Sequence, residues 1–295
     1  MYLHRPLVSL LAPALACAVA ACGPSITGDD DDDTGPDARV DARPIDGPGG
    51  PDAEEILPSR VYAHSGQTLY RVDTTTNMAV RIGDFTNLGT QSMTDLAVDR
   101  DERMIGVTLD KIFEIDETTG AATFLADFTG ADNLTSLSFV PANPGNPDGP
   151  EMLVAATDTG AVIRIDITGA TATSVALGDY GQSGGMDIIS SGDIVYVRGF
   201  GTVATVDVGG TQDFLATIDP ANNWAATPIG TGTGFDRIFG VAFWGGTLYG
   251  FVDGGSGNGG SFIRLDRATG AGTLLRADTI RWFGAGVTTV APIIP

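Results

Sequence analysis

Lysine is nearly missing from this chain. Lys111 is the only one in 295 residues, 37 acidic side chains stand against 16 basic ones, and the formal charge is −21. Phosphate backbones and anionic bilayers both need cationic partners, so nucleic acid and a charged membrane surface are excluded as direct partners. Histidine is as scarce, with His4 and His64 alone. A histidine-rich metal site or a histidine pair is thereby ruled out. A Ser-His-Asp triad would have to use His64, which sits beside Ser65 with no supporting motif. His64 therefore reads as a half-buried structural residue. Both cysteines, Cys17 and Cys22, fall within the first 22 residues, so the rest of the chain forms no disulfide within itself. No phosphate loop, Cys-x-x-Cys pair or nucleophile elbow occurs. On these grounds no catalytic residue, no metal ligand and no cofactor is expected.

Glycine is plentiful, at 41 residues, and long helical patterns are few. That combination points to an all-β chain. Its organising element is Phe262 to Leu275, FIRLDRATGAGTLL, a strand, a tight turn and a second strand. Weaker copies begin at Leu69, Ile112, Val162 and Leu215. The anchoring residues Asp73, Asp116, Asp166, Asp219 and Asp266 are 43, 50, 53 and 47 residues apart. Such a period is that of a β-propeller blade. Each Asp is expected to accept from a backbone N–H two residues on. Asn77, Gly120, Gly169, Asn223 and Gly270 then take up positive φ. Five repeated acids thus read as hairpin chemistry and not as a ligand ring.

Three segments follow. Residues 1–21 read as a signal peptide, with His4 and Arg5 before an apolar run too short to span a bilayer. Val19-Ala20-Ala21-Cys22-Gly23 resembles the bacterial lipobox, which makes Cys22 the lipidated N-terminus. Residues 22–55 carry the run Asp29–Asp33 and almost no large apolar side chains, so they read as a disordered tether. At about 3.1 Å per residue such a tether reaches up to roughly 100 Å. It resembles the Asp-Ala-Pro-rich tethers of lipoproteins from high-GC Gram-negative bacteria. Gly23, in place of the aspartate associated with inner-membrane retention, implies by the same resemblance export to the outer membrane. Residues 56–295 form the propeller domain, with 26 acidic and 13 basic residues.

Within the domain, blade one begins at Val61 without an inner strand, and blade two has all four strands from Ser92. Blade three runs from Asn133. Blade four is read from Gly185, with MDIIS as its inner strand, DIVYVRG second, and VATVDVGG inside a long insertion. Blade five starts with RIFGVAFWG. The remaining RWFGAGVTTVAP, from Arg281, has no partners after it, so it is expected to pair with blade one and close the ring. Closure removes edges that would otherwise template aggregation. Five blades are expected, with six as the alternative. The blade motif, aliphatic-Asp-x-x-Thr-Gly before a Thr-rich strand, resembles the uncharacterised secreted propellers near the quinoprotein and YncE-like families. That resemblance covers Val61 to Pro292 and implies a fold, not an activity.

Residues that begin the inner strands should line one rim of the channel. Asn133, Asp187, Asp236, Arg237, Arg281 and Trp282 are the ligand-binding candidates, with the Trp282 ring stacking on a sugar face. The expected function is a tethered binding or protein-interaction module for a glycan, peptide or other small polar ligand. Such a module is monomeric and meets the membrane only through its lipid. The alternative is a hydrolase or lyase using Asp95, Asp187 or Asp236.

Overall fold

The aspartate turns form as local chemistry dictates. The computed structural model describes residues 59–130 and 134–294 and contains no helix among them. The signal peptide, Cys22, the tether and Asn133 lie outside the described residues. Asp73 Oδ1 accepts from the backbone N–H of Thr75 at 2.8 Å and of Thr76 at 3.2 Å. Asp116, Asp219 and Asp266 accept in the same way from Thr118, Ala221 and Ala268. Asp166 departs from the pattern. Arg164 Nε and Nη2 hold its two oxygens at 2.7 Å each, and its strand runs on past it to Thr168. Asn77, Gly120, Gly169, Asn223 and Gly270 all have positive φ, between 52° and 76°.

These turns join strands in groups of four. The first group holds β1 (Val61–His64), β2 (Thr68–Asp73) and β3 (Met78–Asp84). Next come β4 (Asp95–Val98), β5 (Met104–Val107), β6 (Lys111–Ile115) and β7 (Ala122–Thr129). The third group is β8 (Ser138–Pro141), β9 (Glu151–Ala156), β10 (Ala161–Thr168) and β11 (Thr171–Asp179). A small hairpin, β12 (Gln182–Ser183) and β13 (Met186–Asp187), precedes β14 (Ile189–Val197), β15 (Gly201–Asp207), β16 (Phe214–Asp219) and β17 (Ala225–Pro228). Then follow β18 (Ile238–Trp244), β19 (Thr247–Val252), β20 (Ser261–Leu265), β21 (Gly272–Ala277) and finally β22 (Gly284–Val287). The last strand does not extend its own sheet. It pairs antiparallel with β1, Val61 opposite Val287 and His64 opposite Gly284, so the first sheet runs β22-β1-β2-β3. The arrangement is all-β and propeller-like.

Two features of the sheets depart from simple repetition. The outer strands β7 and β11 pair in parallel, Thr171 opposite Asp127, which fuses the second and third groups into one eight-stranded sheet. The second departure corrects the reading of the fourth group. Its first strand is β14, containing DIVYV, and the segment taken for an insertion is its second strand, β15. Met186 and Asp187 belong instead to the hairpin, whose turn uses Gly184 and Gly185 at φ +61° and +85°. The β14–β15 register shifts between Ser190 and Ile194, a bulge containing Gly192. A Cβ on Gly192 would stand 2.0 Å from the Ile238 carbonyl oxygen, so only glycine lets β14 approach β18 this closely.

The core lies between sheets, in four apolar clusters. Tyr62 and Leu69 meet Leu96, Met104 and Phe113, while Ala97 and Ile105 meet Leu153 and Ile163. Val154 and Val162 meet Ala204 and Ala216. The last cluster joins Val195, Val203 and Leu215 to Val241 and Phe251, and these to Val61 and Val72. Leu153 and Val154 are neighbours with opposite faces, so one strand feeds two clusters. This explains why the first and second strands of each group are apolar on both faces, whereas β3, β7, β11 and β21 show exposed residues. Burying each such side chain contributes about 1.5–3 kcal/mol. A surface ion pair such as Arg103–Glu114, with both partners near 45 % exposed, contributes about 0–1 kcal/mol. Packing between sheets decides the fold.

Candidate functional site

The first strands of the groups, β22, β4, β8, β14 and β18, adjoin one another about a common axis. Their entry ends carry the rim expected to bind a ligand. Arg281 reaches Asp253 with Nε to Oδ1 at 2.8 Å and Nη2 to Oδ2 at 2.9 Å, a two-pronged pairing. These hydrogen bonds hold the buried Asp253 carboxyl below the usual carboxylate range, with Arg237 adding to the effect. Arg237 has a φ of 57°. Its guanidinium packs against Gly255 of the β19–β20 loop, where a φ of +84° favours glycine. Asp236 Oδ1 accepts from the Arg237 N–H at 2.9 Å. Arg237 and Arg281 are thus brought together around Asp253, while Asp236 stays with the Arg237 backbone and acts on Asp213.

The other candidates are not part of that group. Asp187, exposed in the β12–β13 hairpin, accepts from Gln182 Nε2 at 2.7 Å. Trp282 is 1 % exposed. Its ring packs edge-on against Tyr70 and Phe251, each at 5.4 Å between centroids. It sits in the largest apolar cluster and does not face solvent.

Deeper along the axis lies a cluster that sequence reasoning assembled only in part. Asp95 on β4 is 0 % exposed and Asp193 on β14 is 1 % exposed. Asp95 Oδ1 accepts from the Leu96 N–H at 2.8 Å, and the carboxyl also takes backbone N–H groups of Leu137 and Ala285. Asp193 Oδ2 accepts from the Val241 N–H at 3.0 Å. Each acid therefore bolts its own strand to the first strand of a neighbouring group. Asp213 does the same from outside the axis, accepting from the Ile238 N–H at 2.7 Å.

Two oxygens of this pair, Asp95 Oδ2 and Asp193 Oδ1, have no N–H or hydroxyl donor. The two carboxyls are neighbours, and burial raises both well above the carboxylate range. Two buried like charges in contact are prohibitive, so one proton is shared between them. The Asp95 charge further raises Asp193, so the pair resists full ionisation. His64, wholly buried, completes the cluster. Its Nδ1–H donates to the Ser65 carbonyl at 2.9 Å, leaving Nε2 bare, 3.8 Å from Asp95 Oδ1. Burial lowers this imidazole to about 4, so it is neutral. Gly284 passes between them: a Cβ there would stand 2.3 Å from Asp95 Oδ1 and 2.5 Å from His64 Nε2.

Chemically, a proton-sharing carboxyl pair is equipment for acid/base work. Here it is sealed inside the axis, and its oxygens hold strands together. Asp95 pairs with Asp193, while Asp187 and Asp236 are exposed and engaged elsewhere. Among the described residues no group of three or more His, Cys, Asp or Glu has the geometry to hold a metal ion. At the opposite end of the sheets, past the ends of β14, β18 and β20, a separate cavity of about 490 Å³ opens.

No family model matches the chain, and no curated protein matches its sequence. Solved structures do resemble it. A protein of unknown function from Bacteroides caccae is 12 % identical over 75 % of this chain and 73 % of its own, with a TM-score of 0.38. A protein from Lactobacillus plantarum is 12 % identical over 77 % and 70 %, also with a TM-score of 0.38. A symmetrical protein described for its de novo evolutionary emergence is 14 % identical over 79 % and 99 %, with a TM-score of 0.47. At such values the likeness carries no argument about activity.

Proposed function

We propose that the chain is an exported, lipid-anchored, five-bladed propeller that binds a ligand without transforming it. In this reading β22 completes the blade begun by β1 and closes the ring. Cys22 carries the lipid, residues 22–55 form the spacer, and the outer membrane holds the anchor. The domain acts as a monomer and presents its entry rim to a glycan, peptide or other small polar ligand.

One observation carries the choice of binding over hydrolysis. The buried carboxyl pair, Asp95 and Asp193, is 0 % and 1 % exposed and is engaged with backbone N–H groups of neighbouring elements. No substrate reaches it while the ring is closed. At the rim, by contrast, Arg237 and Asp236 are exposed, and Asp253 fixes Arg281 in a defined orientation. A rigid donor set of this kind suits recognition of polar groups. With Trp282 committed to the core, recognition rests on these polar groups and not on ring stacking.

The test is to screen the purified protein on glycan and peptide arrays alongside chromogenic glycosides, esters and lactones. Retention that Arg237→Ala abolishes, with no turnover of any substrate, supports binding. Turnover that Asp236→Asn abolishes would establish the hydrolase alternative instead. Retention of nothing on either array sinks the binding module.

A further inference from the structure

The second cavity lies at the end of the sheets where the inner strands finish, away from the rim. Its volume is about 490 Å³, within the range of roughly 300–1,000 Å³ common for small-molecule sites. Phe200, just after β14, and Phe243, near the end of β18, form the floor with ring centroids 4.3 Å apart. Ile293 closes one side. The segment carrying it is pinned by the Gly245 N–H donating to the Pro292 carbonyl at 2.9 Å.

The wall has two cations, Arg264 and Arg267, and one acid, Asp266. In a domain with 26 acidic and 13 basic residues, a basic excess at one site runs against the general field. Neither arginine has a salt bridge among the described residues. Asp266 Oδ1 is already held by the N–H groups of Ala268 and Thr269 and by the Thr269 hydroxyl. Arg267 is oriented: its guanidinium lies 4.3 Å from the Phe200 ring centroid, and Nη2 donates to the Phe200 carbonyl at 3.3 Å. A stacked guanidinium keeps its outer N–H groups free for a planar anion. The site joins an aromatic floor to two arginines without a salt bridge among the described residues, Arg264 sharing the field of Asp266.

We infer that this cavity binds a small organic anion, its apolar body on Phe200, Phe243 and Ile293 and its anionic head on Arg264 and Arg267. The inference goes beyond the entry-rim reading and uses none of its residues.

The probe is 2-naphthoate, titrated calorimetrically into the purified protein, with neutral 2-naphthamide as the control. Saturable one-to-one binding is expected for the anion, and binding at least about tenfold weaker for the amide, since charge-assisted hydrogen bonds are roughly twice as strong as neutral ones. The pair Arg264→Gln and Arg267→Gln should weaken 2-naphthoate about tenfold or more with an unchanged melting temperature, because both side chains are exposed. No saturable binding, equal affinity for the amide, or full affinity in the double variant overturns the inference. So does a concentration-dependent dimer lost in the double variant, which would make a second copy the occupant. Glycan or peptide retention that survives the double variant while 2-naphthoate fails separates this inference from the entry-rim reading.

Discussion

Asp193 and Asp95 stand beside one another, wholly buried, at the axis of the sheets, and the two acids reach it from strands of different groups, β14 and β4. The arrangement is costly to ionise, because both carboxyls are removed from water. It is also the point where three neighbours are tied in: Ala285 of β22 and Leu137 to Asp95, and Val241 of β18 to Asp193. Stability and protonation are therefore linked through this pair.

The sign of that link is fixed by the direction of the shifts. An unfolded aspartate titrates near 3.9, and both folded groups lie higher. The folded protein thus holds more protons than the unfolded one above pH about 4, and stability falls as pH rises through the folded values. His64 acts in the opposite sense. Its folded value of about 4 lies below the ordinary 6.5, so its contribution is lost as pH falls through that range. Asp213, raised to about 6 by burial, is silent well above that value. The range from pH 7 to 9 lies clear of His64 and Asp213 and above the unfolded aspartate value, so the raised acid pair is read there. Asp193→Asn supplies an amide N–H in place of the acid proton, so its melting temperature should fall less than the wild type's across that window. A difference of a few degrees is expected, as about 1 kcal/mol moves a domain of this size by roughly 2–4 °C. Parallel melting curves for the two proteins would refute a shared proton.

Trp282 is expected to be a stability residue. Its ring has 1 % exposure and two edge-on aromatic neighbours. Truncation to Ala leaves a large cavity in the core cluster and should cost on the order of 3–5 kcal/mol in denaturant titration. Trp282→Phe, keeping the contacts to Tyr70 and Phe251, should cost less than half of that. An Ala variant as stable as the parent would return Trp282 to the list of ligand contacts.

What could be read from residues alone was the local chemistry. An Asp followed three or four residues later by Gly or Asn forms its turn by side-chain-to-backbone hydrogen bonds that involve no distant partner. Asp166 escaped this rule because Arg164, two residues before it on the same strand face, competes for its oxygens. Strand order in the fourth group was illegible for another reason. MDIIS and DIVYV are equally strand-like, and the close Gly192 approach to Ile238 that seats DIVYV beside β18 leaves no local mark in the sequence. That misplacement hid Asp193. Its cue was present, since DLAV and DIVYV each open an apolar run with an acid. The burial of Trp282 was illegible because alternation marks inside and outside only where one face is solvated. Strands packed between sheets have no such face.

The sealed axis, and with it the case for binding over hydrolysis, depends on β22 joining the end of the chain to its beginning. Val61 stands directly opposite Val287 in that pairing, and directly opposed residues in antiparallel strands lie within reach of a disulfide. The measurement is a free-thiol count, under mild oxidation, on a Val61→Cys, Val287→Cys variant made with Cys17→Ser and Cys22→Ser. The closed ring predicts a quantitative intramolecular bond, no free thiol in the folded monomer, and a melting temperature that drops on reduction. Two free thiols in a folded, soluble monomer would contradict closure.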